Sequence, residues 1–358
     1  MDERRLLALR VLQEGWPVAE ASRAAGVSRQ TGHRWVARAG SEGIASLAER
    51  SRRPLRSPFR TSEQLEAEVL ALKERFPWFG GRKLAVLAQG RLSARTAARI
   101  LARRGISCPK APREPMLRFE RQFCNELWQM DFKGMPRRRR VYEPLCILDD
   151  ASRFAIALPA LQSQRLEHVW EALWGAFQTY GLPEAILTDN GPSFRCNATW
   201  RPSSLDLRLM LLGVRSIHGR PYHPQTQGKV ERFHGTLAGV LGDALWQPTL
   251  GQGTHVLARF RDFYNWERPH EALAQRVPGA LYQPSSRPCP ERLPEPCFPE
   301  GSAIRRVNQQ GLMSFKGRTY RMGKALIAQP VALLQEQDGV CVYYHDRRIG
   351  QLDEFEKP

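Results

Sequence analysis

Three acidic residues in this chain occupy settings where a carboxylate is costly. Asp131 lies in Leu-Trp-Gln-Met-Asp-Phe, and Asp189 closes Ile-Leu-Thr-Asp ahead of Asn-Gly-Pro-Ser-Phe. Glu231 belongs to His-Pro-Gln-Thr-Gln-Gly-Lys-Val-Glu-Arg-Phe-His. Each is at the edge of an apolar element, and a carboxylate withdrawn from water needs a cation to offset the loss. A pair of Mg²⁺ ions suits, because Mg²⁺ is commonly held by a few carboxylates plus substrate phosphate oxygens. Mn²⁺ is the natural substitute. Carboxylates on two strands and a helix can converge on such a pair and set up in-line attack at a phosphodiester.

The elements that must carry these acids are legible from periodicity. Leu127–Phe132, Val141–Leu148 and Phe154–Leu158 read as three successive strands, and Arg165–Tyr180 as an amphipathic helix. Ala185–Thr188 and Val214–His218 supply two further strands, and Gln227–Trp246 a long helix. A mixed sheet flanked by helices, the α/β ribonuclease-H-like arrangement, is the expected core. Val230, Phe233, Leu237 and Leu241 recur at helical spacing and should face the sheet, with Glu231 and His234 one turn apart on an adjacent face. Lys229 and Arg232 flank the glutamate as phosphate contacts. His234 is either another contact or an ordinary edge histidine. Asp149-Asp150 should cap the turn before Ser152-Arg153, and Cys196–Leu209 reads as a polar surface loop. Arg137, Arg138, Arg139 and Arg140 form either a solvated hairpin or a clamp on a nucleic-acid backbone, and the density of like charge favours the clamp. In Tyr264–His270, Asn265, Arg268 and His270 are polar anchors beside an aromatic cluster.

Ahead of the core the pattern is helical and basic. Residues 2–40 read as three short helices, with Gly26 at a turn and Ser28 as N-cap of the third. That arrangement is a helix-turn-helix whose recognition helix presents Arg29, Gln30, His33 and Arg34, while Trp35 and Val36 face inward. Gly32, inside that helix, costs about 1 kcal/mol relative to alanine. A second helical unit, with helices over Thr61–Arg75, Arg82–Gln89 and Ser93–Arg104, carries Arg95, Arg99 and Arg103. Behind the core, residues 278–299 hold seven prolines in 22 positions and read as a linker. Ile304–Asp353 then alternates apolar and polar residues around several glycines, the pattern of a small β-barrel. The expected chain is multidomain: helix-turn-helix units at 1–56 and 57–106, a linker at 107–122, a core at 123–277, the proline-rich linker, and the barrel at 300–358.

Composition limits the partners. The 358 residues carry a net charge of +18, and the first 122 hold 25 Lys and Arg against 12 Asp and Glu. A polyanion is the implied partner, docked mainly on the front third. Seven scattered cysteines without a Cys-x-x-Cys pair argue against a disulfide framework or a zinc knuckle. No apolar run reaches transmembrane length, so the expectation is a cytoplasmic, nucleoid-associated protein with no membrane partner.

The words around the three acids, together with Tyr264-Asn-Trp-Glu-Arg-Pro-His, resemble bacterial insertion-sequence transposases of the DDE type, relatives of retroviral integrases. The resemblance extends over nearly the whole chain. It implies that Asp131 bridges two metal ions, with Asp189 holding one and Glu231 the other. It further implies double-stranded DNA as partner, both element ends and target, and a homo-oligomer of at least two copies to pair two ends. An ATPase partner is compatible with it but not required. Ala238 replaces a basic residue common in the family, which removes one expected DNA contact. A retroviral-type integrase is disfavoured, because only His33 precedes residue 168 and no His/His/Cys/Cys cluster exists there. The alternative from another class is a catalytically silent DNA-binding regulator.

Overall fold

A computed structural model of the protein describes residues 3–48, 60–106, 120–134, 141–189, 194, 201–218 and 228–355. It divides into two compact units, Met1–Ser62 and Glu63–Pro358.

The first unit is three helices, α1 (Glu3–Leu12), α2 (Val18–Ala24) and α3 (Arg29–Glu42), followed by a single 3₁₀ turn. Gly26 turns the chain between α2 and α3 at φ +63°, a conformation that costs glycine little. Ser28 then caps α3 by accepting from the Thr31 N–H at 3.2 Å. Ala8, Ala39 and Leu47 form a small core, with Trp35 packed against it. Gly32 proves to be a requirement rather than a cost. A Cβ there would stand 1.9 Å from Ser22 Oγ, so its absence lets α3 lie close on α2.

In the second unit, α4 (Glu63–Arg75), α5 (Gly81–Leu87) and α6 (Ala94–Arg103) form another helical group. Ser93 caps α6 through the Thr96 N–H. The group docks on the core by aromatic packing. Phe76, Trp78 and Phe79 each lie 5.9–6.2 Å, ring centre to ring centre, from Phe263.

The core sheet is mixed. Its strands are β1 (Trp128–Phe132), β2 (Glu143–Asp149), β3 (Ala155–Ala157), β4 (Ala160–Leu161), β5 (Ala185–Thr188) and β6 (Arg215–His218). They run in the order β3-β2-β1-β5-β6, with β4 paired to β2. The first hairpins are antiparallel, while β1–β5 and β5–β6 are parallel. Strand β2 is buried at all seven positions, as expected of a strand covered on both faces. One face packs on α7 (Leu166–Tyr180) through Val169, Leu173 and Phe177. The other packs on α9 (Gly228–Leu241) and α10 (Leu250–Asp262) through Val230, Phe233, Leu237, Leu257 and Phe260. Asn265 finishes the sheet edge: its side chain accepts from the Ala155 N–H and donates to the Ala155 carbonyl.

The segment read as a polar loop over Cys196–Leu209 contains a helix instead. Helix α8 (Ser204–Leu211) opens with a capping box in which Ser203 and Asp206 bond each other's backbone N–H groups. Leu205 and Leu209 enter the core-sheet cluster, while Leu207 and Leu211 enter the cluster of the C-terminal strands. Burial of each leucine stabilises by about 1.5–3 kcal/mol, so the helix fastens those two layers together. The proline-rich stretch makes no strand and only a single 3₁₀ turn, yet it too is fastened. Arg287 donates to the carbonyls of Pro183, Leu212 and Gly213.

The C-terminal strands form open sheets. Strands β7 (Ala303–Arg306), β10 (Pro330–Glu336), β11 (Gly339–Tyr344) and β12 (Arg347–Gln351) make one, in the order β12-β11-β10-β7. Strands β8 (Leu312–Phe315) and β9 (Arg318–Arg321) pair only with each other. No closed barrel exists among the described residues. Leu207 and Leu211 from α8, with Leu352 and Phe355 from the last turn, supply apolar cover that a closing strand would otherwise provide. Among the described residues no helix is long and apolar enough to cross a membrane.

Candidate active site

Strand pairing brings Asp131 and Asp189 together. Strands β1 and β5 are parallel neighbours in the register Trp128↔Ile186, Gln129↔Leu187, Met130↔Thr188. One step further along each strand stand the two aspartates. Glu231 reaches the same area from the first turn of α9, which packs on β1. Proximity shows in the electrostatics. Burial, then the charge of Asp189, then that of Glu231, push the Asp131 carboxyl up to about 7, although a hydrogen bond from the Phe132 backbone and the charge of Lys133 oppose the rise. Asp131, buried and within range of the charges of both other acids, is the centre of the candidate site. The three acids are not drawn into a ligand cluster. Among the described residues no group of three or more His, Cys, Asp or Glu is placed to hold a metal ion.

The flanking residues divide by exposure. Glu231 and Arg232 are on the open side of α9. His234 is buried, with Nδ1 3.7 Å from Asp131 Oδ2, beyond a good hydrogen bond. Its Nε2 has no partner. Burial, helped by Lys133, lowers its pKa to about 4, so the ring is neutral at pH 7. Lys229 is turned inward, and its ammonium sits 2.5 Å from Asp150 Oδ2 and 3.0 Å from the Asp150 carbonyl. Cys146, opposite Asp131 on β2, is fully buried, and burial holds its thiol well above the usual range.

The acidic pair at the end of β2 has two roles. Asp149 caps the turn, accepting from the N–H groups of Asn125 and Ser152 and from the Ser152 hydroxyl. Asp150, with no exposed surface, accepts from the Arg121 N–H, the Gln129 amide and Lys229. Two acids closing a strand whose run Leu145–Leu148 is apolar were the available signal that a buried carboxylate there must find a cation. Which cation could not be read from spacing.

The other singled-out residues lie elsewhere. Arg29, Gln30, His33 and Arg34 are exposed on one side of α3. Arg95 and Arg99 are exposed on α6, and Arg103, also exposed, pairs with Glu66 at 2.8 Å. Arg137, Arg138, Arg139 and Arg140 fall outside the described residues, as do Asn190 and the stretch His223–Gln227.

Four family models match the chain. Residues 2–75 match the leucine-zipper of insertion element IS481, 124–224 and 212–278 match integrase core domains, and 302–357 match the C-terminal domain of IS481 family transposases. The "insertion element IS476 uncharacterized 39.2 kDa protein" of Xanthomonas euvesicatoria is 27% identical over 80% of this chain and 78% of its own. The chain belongs to the bacterial insertion-sequence transposases of the integrase-core type. The "insertion element IS407 uncharacterized 31.7 kDa protein" of Burkholderia multivorans is 26% identical over 62% of this chain and 81% of its own. Among solved structures, a chain of the simian T-cell lymphotropic virus intasome, solved with the PP2A regulatory subunit B56 gamma, is 19% identical. It covers 79% of this transposase and 98% of its own length at a TM-score of 0.39. The stretch matching the zipper description contains, among its described residues, separate short helices of which α3, with 14 residues, is the longest.

Proposed function

We propose that this transposase binds the terminal inverted repeats of its own mobile element, cuts there to free 3′-OH groups, and joins them to target DNA. The observation that carries the reading is the register of β1 on β5, which sets Asp131 beside Asp189 with Glu231 in charge range. The donors are all carboxylate oxygens, the chemistry Mg²⁺ takes, and the neighbouring Cys146 thiol stays protonated. Asp131, Asp189 and Glu231 would hold two ions, and cations there would relieve the repulsion that raises Asp131. When bound, the metal activates the attacking oxygen and neutralises charge developing on the phosphodiester.

The chain's own residues do the rest. The strand ends fix two carboxylates at one edge of the sheet, and α9 presents the third. Arg232, exposed one residue beyond Glu231, is suited to a DNA phosphate. His234 is neutral and buried with its unpaired Nε2 out of solvent, so it stands behind the DNA face rather than on it. Cutting is attack by water that leaves a 3′-OH, and joining is attack by that 3′-OH on a target phosphodiester. Cutting replaces the phosphorus bond to the 3′ oxygen with one to the oxygen of water, leaving a 5′-phosphate. Joining forms one phosphodiester and breaks one, freeing a target 3′-OH, so neither ATP nor a protein adduct is required.

Residues 1–56 and 57–106 are read as two helix-turn-helix units gripping the repeats, through Arg29, Gln30, His33 and Arg34 on α3 and Arg95 and Arg99 on α6. Residues 107–122 connect them to a catalytic core over 123–277, and 300–358 form a small β layer that α8 fastens to that core. Joining two ends needs two active sites, hence at least a dimer.

The test is Mg²⁺-dependent nicking of DNA carrying the repeats that flank the gene. The unmutated protein should cut at a repeat end, and Asp189→Asn should bind that end equally well without cutting. Nicking at an unchanged rate in Asp189→Asn removes the site assignment. Tight binding without cutting by either protein favours a silent regulator.

A further inference from the structure

Two of the three acid-bearing elements, β1 and α9, meet at one buried carboxylate that the reaction itself does not use. Gln129, two residues before Asp131 and hence on the same face of β1, donates its amide to Asp150 Oδ1 at 2.7 Å. Lys229, two residues before Glu231, reaches Asp150 Oδ2 at 2.5 Å. The Asp150 backbone is itself tied to the residue just before β1 by its N–H on the Leu127 carbonyl at 2.9 Å. All three side chains are out of water: Asp150 is 0% exposed, Gln129 1% and Lys229 7%.

Helix geometry says what this connection controls. At about 100° per residue, the buried arc of α9 runs from Lys229 through Phe233, Leu237 and Val230 to His234. Lys229 and His234 are its two edges, and each faces an aspartate, Asp150 and Asp131 respectively. Glu231 lies just beyond the His234 edge. Apolar side chains alone tolerate some rotation of a helix on a sheet. A buried ammonium does not, because leaving its carboxylate strands two charges in an apolar interior.

We infer that Lys229 is a positioning residue: paired with Asp150, which also holds Gln129, it fixes the rotation of α9 on β1 and so aims Glu231 at Asp131 and Asp189. This rests on the metal-site reading of those acids. It also sets Lys229 apart from Arg232, whose Nε donates to the Gly228 carbonyl at 2.9 Å while the exposed side chain can meet phosphate.

The experiment compares the full chain with Lys229→Met, Asp150→Asn and the double variant. It reads the Mg²⁺ concentration for half-maximal nicking, the affinity for repeat-end DNA, and the rise in melting temperature on adding Mg²⁺. Loss of a residue that orients a metal ligand costs about 10- to 100-fold in metal affinity or activity. Each single variant should therefore need that much more Mg²⁺ while binding DNA ends within about twofold of the parent. Effects of residues acting as one unit do not add, so the double variant should need no more Mg²⁺ than either single one. It should also melt above Lys229→Met, having lost the stranded carboxylate. The inference is overturned if Lys229→Met weakens end binding several-fold at an unchanged Mg²⁺ requirement, or if Asp150→Asn is silent. Additive effects in the double variant overturn it too. Should Lys229→Met fail to fold, Asp150→Asn, which keeps shape and lysine, carries the comparison. If the parent protein does not nick DNA at all, the functional reading falls. The Mg²⁺-induced melting shift, reduced or unchanged in the variants, still decides the role of Lys229.

Discussion

Replacing Asp131 with asparagine should stabilise the metal-free protein, and increasingly so as pH rises. The Asp131 carboxyl is held at about 7 against an ordinary 3.8. Between those values the folded chain keeps a proton that the unfolded chain has released. The folded state thus binds more protons, and its stability falls as pH rises through that window. At about 1.4 kcal/mol per pH unit, the whole window is worth about 4 kcal/mol. The side chain is 19% exposed, so solvent trims this figure without removing it. From about pH 5.5 to 7 the loss is about 2 kcal/mol, or about 4 °C in melting temperature for a domain of this size. Asparagine cannot ionise, so other titrating groups cancel in the difference between the two proteins. The assay is thermal melting of the parent and Asp131→Asn in EDTA and in Mg²⁺, at both pH values. In EDTA the advantage of the asparagine variant should widen by about 4 °C between them. With Mg²⁺ the parent should recover most of that gap, because cations relieve the repulsion. A gap that stays constant with pH in EDTA would refute the raised Asp131 carboxyl that burial, helped by the Asp189 and Glu231 charges, produces.

Other consequences follow from single contacts. Arg29→Ala and Arg34→Ala should each lower the slope of log affinity against log salt for repeat-end DNA by about 1; an unchanged slope would take those residues off the DNA. Gly32→Ala should lower the melting temperature, since overpacking costs about 1–3 kcal/mol and exceeds the helix-propensity gain of about 1 kcal/mol. Adding Ser22→Ala should restore much of the loss, because Ser22 Oγ is the atom met first, and a net stabilisation by Gly32→Ala alone would contradict the close packing. Ser203→Ala should cost about 1 kcal/mol, seen as a lower denaturation midpoint, because it opens the capping box of α8; no change would mean that tertiary packing alone holds that helix.

Local chemistry made much of the fold readable. The strand Ala185–Thr188 is bounded as its apolar run is, since a run ending at a charged residue before Asn-Gly has no register left to choose. Ser28 and Ser93 mark the starts of α3 and α6, because an N-cap hydroxyl satisfies an orphan N–H locally, whatever surrounds it. Helix α8 was equally readable in principle. Its Ser203-x-x-Asp206 box was in plain sight, but a polar start beside Trp200 and Pro202 masked the four leucines that follow.

The identity of the three acids, their settings at the edges of apolar elements and the periodicity of α9 are properties of the chain itself. They depend on neighbours within a few residues, and so the sequence by itself determined them. Whether the acids meet is a different matter. That depends on β1 pairing with β5 in parallel, some 60 residues apart in the chain, and on the rotation of α9. Only the tertiary structure decided that Lys229, with the same local sequence as a surface lysine, turns inward to Asp150 while Arg232 turns out. It likewise made Gly32 necessary through α2 and left the C-terminal sheet open where α8 covers its core. Each of these outcomes is settled by what packs opposite, and the partner is distant in sequence.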